Sequence, residues 1–377
     1  MKAKGGRNEG DIMEGIFSIG LADLFANNSV SKGRINTVRA KVDTSLFQTG
    51  AFEYQYSSKE VPPDPDIVAI NLSVRLKESR VWDAYGPAWK MMYDRAGDVG
   101  DLDNKIQQII TILNTNYRQK ITNAKNKWLK NNQSDEVVVD IMADGMEGEK
   151  SQGALKGDVM VKINMNGENI IDEEMIFSVK SGSTTVQGGS PLSGLLDIVN
   201  MLGIKMPQRE ARYRELLGDL LSHAKTEAEK RAKAKLSTMF FEDVMKGMDT
   251  ASRSNPRKFK KQIFNIFRSV TFGKDLADVI DIDKTTIKET TPDYINQLES
   301  TTGNLRIENA PSGYGLYGGA VTGRRIFMTG PNAPKGHLLQ FRFKLRTGGT
   351  VYKELKLMML LGGGAYLPKE KKTKKKR

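Results

Sequence analysis

Asn166-Gly167 stands between two runs of alternating apolar residues, GDVMVKINM before it and EEMIFSVKS after it. Asn-Gly tolerates the two left-handed positions of a type I′ turn, so the pair predicts a β-hairpin. A two-residue turn also fixes register, because a slip by one residue would turn every side chain to the other face. Residues two apart along a strand share a face, so Ser178 and Lys180 lie together on the second strand. Asp158 begins the first strand. A carboxylate and a lysine on neighbouring antiparallel strands can then converge at one point.

The rest of the chain organises around this hairpin. Residues 9–27 place Ile12, Ile16, Ile19 and Phe17, Leu21, Leu24 at helical intervals, which predicts an amphipathic helix ending at Asn27-Asn28. FEYQY and IVAINLSVRL alternate as strands around a VPPDPD loop; a short helix near Trp89 and a long one over Leu102–Leu129 follow. EVVVDIMADG adds a strand ahead of the hairpin. The segment from Leu192 to about Met248 reads as helix, rich in i,i+4 charge pairs. HLLQFRFKLR and VYKELKLMMLL read as a final hairpin, and the glycines of GYGLYGGAVTG lack the helix that a phosphate-binding loop needs.

Composition narrows the chemistry. The chain has 377 residues, 38% hydrophobic and 27% charged, enough for a real core and for two domains or one core with insertions. It contains no cysteine and two histidines, His223 and His337. Disulfides, iron–sulfur clusters, thiolate zinc sites and thiol catalysis are therefore excluded, and His-based metal sites or triads nearly so. Carboxylates, lysines and hydroxyls remain. No run of 18 apolar residues appears, which argues against a membrane span, and MKAKGGRNEGD does not read as a secretory signal.

The net charge of +13 sits in two places. Lys369–Arg377 holds seven basic residues to one acid, and Lys246–Lys274 holds eight to one. Concentrated positive charge is the footprint of a polyanion such as nucleic acid. In the second segment Phe259, Phe264, Phe267 and Phe272 interleave with Arg257, Lys258, Lys260, Lys261 and Arg268, which are the candidate DNA contacts. The aromatics are equally readable as the core stripe of an amphipathic helix. The tail, low in complexity, is expected to be disordered.

The converging Asp158 and Lys180 suit phosphodiester hydrolysis. The carboxylate would hold Mg²⁺ at the scissile phosphate; the lysine would orient or help deprotonate water and offset developing charge. The arrangement Gly157-Asp158, hairpin, Ser178-Val179-Lys180 resembles the PD-(D/E)XK nuclease superfamily, in the variant with Ser for the middle acid. Lys180-Ser181-Gly182-Ser183 followed by Gln187 is similar to the phage and restriction branch. GDIMEGI, carrying Glu14, and LLQFRFK, carrying Gln340 and Arg342, look like the first helix and closing strand of the same family. The resemblance spans roughly residues 9–27, 136–200 and 337–362.

What the resemblance implies is an α/β (α+β) fold with a restriction-endonuclease-like mixed sheet flanked by helices. It implies catalytic roles for Asp158, Lys180, Ser178, Glu14 and Gln187, and DNA contacts by Gln340 and Arg342. Mg²⁺, or Mn²⁺ in its place, would be held by Asp158, Glu14 and the Val179 backbone carbonyl. Ser178 is a poor Mg²⁺ ligand, so the missing acid has to come from elsewhere: Glu14 first, then Asp197, while Glu174 of the pair Glu173-Glu174 shares the face of Lys180. The expected division is a core helix (1–36), an insertion (37–135), the catalytic hairpin (136–200), a basic helical region (201–300), strands completing the core (301–362) and the tail (363–377). The expected protein is a metal-dependent endonuclease on double-stranded DNA in the cytoplasm of a bacterial or phage-infected cell, with a homodimer left open. A catalytically dead DNA-binding protein of the same fold and a virion assembly protein contacting nucleic acid are the alternatives.

Overall fold

Asn166 and Gly167 both adopt left-handed backbone angles, φ 55° and 79°, as a type I′ turn requires. The hairpin they form supplies two inner strands of one sheet in the computed structural model, which describes residues 9–37, 54–60, 70–77, 99–131, 136–143, 158–181, 185–187, 199–204, 226–272, 277–282, 286–310, 323–348 and 351–368. In chain order the elements begin with α1 (Glu9–Asn27), β1 (Tyr54–Glu60), β2 (Ile70–Lys77) and α2 (Val99–Ile112). A π-helical turn (Leu113–Tyr117) leads into α3 (Arg118–Asn131), then β3 (Glu136–Ala143), β4 (Val159–Met165), β5 (Glu168–Ser181) and β6 (Thr185–Gln187). Next come α4 (Glu227–Ser254), α5 (Pro256–Thr271), β7 (Asp278–Ile282), β8 (Ile287–Thr290) and α6 (Pro292–Ser300). β9 (Leu305–Asn309), β10 (Arg324–Met328), β11 (His337–Gly348) and β12 (Val351–Leu361) close the chain.

These elements form two compact units: Met1–Ser183 with Phe272–Glu289, and Thr184–Thr271 with Thr290–Arg377. The first unit holds a mixed sheet in the order β1-β2-β3-β4-β5-β7-β8. β3, β4 and β5 run as an antiparallel meander, whereas β2 is parallel to β3 and β7 is parallel to β5. The strand faces carrying Val137, Val139, Ile141, Val161, Phe177, Val179, Ile280 and Ile282 are buried with α1, α2 and α3 in one core. Phe17 of α1 and Tyr117 of the π turn both pack on Phe177, at ring-centroid distances of 5.1 and 5.2 Å.

Helix α1 has the predicted limits but a different character. The spacing predicts an amphipathic helix; instead it is buried almost all round, from Met13 through Ala26. It touches the sheet on one side and α2 and α3 on the other, so no side faces solvent for long. Gly20 permits that closeness, because a Cβ there would stand 2.7 Å from the Leu113 side chain. The long helix predicted over Leu102–Leu129 is present with its Ile106, Ile109, Leu113, Tyr117, Ile121 and Trp128 stripe turned to the core. No helix among the described residues is long and apolar enough to cross a membrane.

The second unit is built on an antiparallel sheet, β6-β12-β11-β10-β9, with helices α4, α5 and α6. A Thr226/Glu229 capping box starts α4, and Thr291 with Pro292 starts α6. Asp249 of α4 takes a forked pair of bonds from Arg324 of β10, at 2.9 and 3.1 Å. Three expectations change here. The strands of 301–362 do not complete the hairpin's sheet but make this second one; alternation reveals a strand, not the sheet it joins. The described part of 37–135, expected as an insertion, is built into the first unit: β1 and β2 extend its sheet and α2 and α3 help fill its core. The helix expected from Leu192 to Met248 is broken by a turn at Gly203, whose φ of 66° suits glycine, and α4 begins only at Glu227.

Candidate active site

The hairpin's open end brings Asp158, Ser178 and Lys180 together. Asp158 N–H donates to the Phe177 carbonyl at 2.7 Å, which docks the start of β4 onto β5. Its carboxylate Oδ2 then accepts from Ser178 Oγ at 2.8 Å and from Lys180 Nζ at 2.7 Å. Phe177 and Val179, between these residues in sequence, point the other way into the core. The Lys180 side chain keeps 33% of its exposure and Asp158 15%, so the ion pair is partly desolvated yet reachable. Ser178 is buried and acts as a hydrogen-bond donor that orients the carboxylate. Two donors on one oxygen leave Oδ1 of Asp158 as the carboxylate's other acceptor.

Two further oxygen sources lie near. The Val179 carbonyl is two residues along β5 from the Phe177 carbonyl that accepts Asp158 N–H, so it points toward the same side of the strand. Asp281 of β7 is the parallel register partner of Lys180, on the same sheet face and 2% exposed. Sequence patterning missed Asp281, because residues 277–282 fell inside the presumed basic helical region. The available signal was ADVIDI itself, an apolar run of strand length carrying acids of which a fully buried strand has little need. Mg²⁺ typically needs only one or two protein carboxylates beside waters and substrate phosphates. Asp158 with the Val179 carbonyl fits that modest requirement.

Glu14 is placed differently. It is half-buried on α1, one turn before Phe17, and α1 packs on the sheet face opposite the one bearing Ser178 and Lys180. Among the described residues no group of three or more His, Asp or Glu side chains gathers at metal-binding range. Asp197 and the side chains of Glu173 and Glu174 lie outside the described residues. Gln187, Gln340 and Arg342 belong to the second unit's sheet, where Gln187 pairs with Met358 and Met358 with Arg342 in one row. Gln340 is buried and its Oε1 accepts from Arg325 Nε at 3.0 Å.

The basic candidates on α5 divide into two kinds. Arg257, Lys258 and Lys261 are exposed. Lys260 instead donates to the Thr301 and Gly303 carbonyls at 2.8 and 3.2 Å, and burial lowers its pKa. Arg268 reaches Asn296 at 2.9 Å and pairs with Glu299, likewise lowered by burial. Both serve as internal ties between α5 and the α6 region. Phe259, Phe264, Phe267 and Phe272 are all essentially unexposed, so they are core side chains and offer no stacking platform. His337 packs against Phe327, and burial with the nearby Arg325 lowers its pKa. The basic tail lies outside the described residues.

No protein-family model, curated protein or solved structure matches this chain. Its function has to be argued from the site alone.

Proposed function

We propose that the chain is a metal-dependent endonuclease acting on double-stranded DNA, of the PD-(D/E)XK kind and with its restriction-like core in the first unit. The observation that carries this reading is the 2.7 Å contact between Asp158 and Lys180 across the hairpin, half-open to solvent and braced by Ser178. The mixed sheet flanked by helices, with β7 parallel to the lysine strand, supports it.

A bound Mg²⁺ would supply Lewis-acid polarisation of the phosphate and a more acidic water. Asp158 would hold it through the carboxylate, with the Val179 carbonyl beside it. Ser178 keeps that carboxylate in one rotamer. Lys180, as an ammonium fixed at the same spot, would face the non-bridging phosphate oxygens and offset charge as it develops there. Water oxygen bonds to phosphorus and gives up a proton to solvent, the bond from phosphorus to the leaving sugar oxygen breaks, and that oxygen takes up a proton from solvent. Asp281, neighbouring Lys180 in register, is a further carboxylate on the same face. Arg257, Lys258 and Lys261 are the phosphate contacts this reading assigns to α5.

Incubating the pure protein with supercoiled plasmid and linear DNA, with Mg²⁺ and with EDTA, tests the proposal. Mg²⁺-dependent nicking lost in Lys180→Ala is the expected result. The second reading, DNA binding without cleavage, draws on Ser178, which spends its hydroxyl on Asp158 where an acid would bind metal. Retention of DNA with no product at any Mg²⁺ or Mn²⁺ concentration would favour it.

A further inference from the structure

On the core face of the first sheet, two carboxylates meet one phenol. Tyr117 Oη stands 3.2 Å from Asp278 Oδ2 and in hydrogen-bond contact with Glu289 Oε1. Asn116 Nδ2 donates to Glu289 Oε2 at 2.6 Å, and Lys120 Nζ approaches Asp278 Oδ2 at 3.4 Å. Tyr117, Asp278 and Glu289 are 2%, 9% and 8% exposed. The groups come from three directions: the π turn and α3 (Asn116, Tyr117, Lys120), β7 (Asp278) and β8 (Glu289). From β5 the Phe177 ring packs edge-on against Tyr117. No other charged side chain among the described residues is bonded to it.

A tyrosine hydroxyl has one proton and can donate it to one acceptor. Its oxygen is nevertheless at bonding range of two carboxyl oxygens. The second contact is attractive only when that carboxyl is itself protonated and donates to Oη. Two buried carboxylates with one lysine among them also favour holding a proton in common. We infer that Tyr117, Asp278 and Glu289 form a clasp held by one shared extra proton, which fastens the π turn to β7 and β8 and releases when that proton is lost. The inference is independent of the nuclease reading.

Burial pushes Asp278 up to about 6 from 3.8, with Glu289 adding to the rise and Lys120 and the hydrogen bonds opposing it. Burial first, then both acids, raises Tyr117 well above its usual value, so the phenol keeps its proton throughout. A carboxyl raised in the folded state stabilises the fold fully below its ordinary value and loses that contribution as pH rises through about 6. The Tyr117–Asp278 side of the clasp is therefore closed in mild acid and open above neutrality, whereas the Tyr117–Glu289 bond needs no extra proton. A π turn in an otherwise α-helical run is where such a local rearrangement costs least backbone pairing.

The test combines infrared spectroscopy with thermal unfolding followed by tryptophan fluorescence. All three tryptophans, Trp82, Trp89 and Trp128, fall in the first unit's segment, so the fluorescence reports on that unit. Wild type should show a buried protonated-carboxyl band at pH 5 that fades by pH 8, and a melting point lower at pH 8 by about 5 °C. Asp278→Asn should lack both the band and the pH slope. Glu289→Gln, which keeps the shape and the Tyr117 contact, serves where Asp278→Asn folds poorly and should also flatten the slope. A missing band at pH 5, or a Glu289→Gln variant with the wild-type band and slope, would overturn the inference.

Discussion

The two faces of the first sheet handle carboxylates with different company. Asp158 meets an ammonium and a hydroxyl on one oxygen and is partly wet. Asp278 and Glu289, on the face turned to the helices, share one phenol, one amide and one distant lysine in a dry setting. A carboxylate with close donors and some solvent is held in place at little expense, whereas burial in the core favours the protonated form of Asp278. On the proposed reading the first environment keeps an anion ready for a metal; the second stores a proton in the scaffold. Strand alternation produces this separation, since Phe177 and Ser178 look to opposite sides.

Breaking the solvent-side pair should give the largest effect. Lys180→Ala is expected to lower plasmid cleavage on the order of 10²-fold or more, with circular dichroism and DNA retention nearly unchanged, because on the proposed reading the ammonium acts chiefly on the transition state. Wild-type cleavage by this variant would move the chemistry away from the hairpin. Asp158→Asn should abolish Mn²⁺ binding in calorimetry, since a neutral amide oxygen is a weaker ligand; an isotherm like the wild type's would relocate the metal. The same titration ranks the other acids. If Asp281 helps hold the charge balance around Lys180, Asp281→Asn should weaken Mn²⁺ binding more than Glu14→Gln does. The reverse order, with partial rescue of Glu14→Gln by Ser178→Glu, would return the missing ligand to α1.

The smallest effect separates the two kinds of lysine on α5. Neutralising Arg257, Lys258 and Lys261 together should flatten the salt dependence of DNA binding, by roughly 0.9 in log–log slope for each phosphate that is no longer neutralised, without changing the melting point. Lys260→Met should do the opposite, since its ammonium closes carbonyls of Thr301 and Gly303. A triple variant that binds with the wild-type slope would leave those charges as a wet helix face.

Much of the Asp158–Lys180 geometry was legible before any fold was known, because it is local: a type I′ dipeptide, period-two alternation and a fixed register bring the three residues together. The limits of α1 and of the final hairpin were legible for the same reason. Asp281 was not, since its place beside Lys180 depends on pairing between strands separated by the whole of the second unit's first segment. The aromatics of α5 were ambiguous, because buried and stacking phenylalanines have one spacing. Lys260 was indistinguishable from Lys258 and Lys261 by composition, and only the carbonyls it meets set it apart.

The detour of the chain between β5 and β7 also bears on how the protein is made. The strand carrying Lys180 acquires its parallel neighbour only when Asp281 has been synthesised, about 100 residues later. At roughly 5–20 residues per second that interval lasts on the order of 5–20 s. Throughout it the nascent meander β3-β4-β5 presents an unpaired edge, the kind of surface that other extended chains add to. Deferred closure of this sheet makes the newborn chain most vulnerable to mispairing while residues 184–271 are emerging.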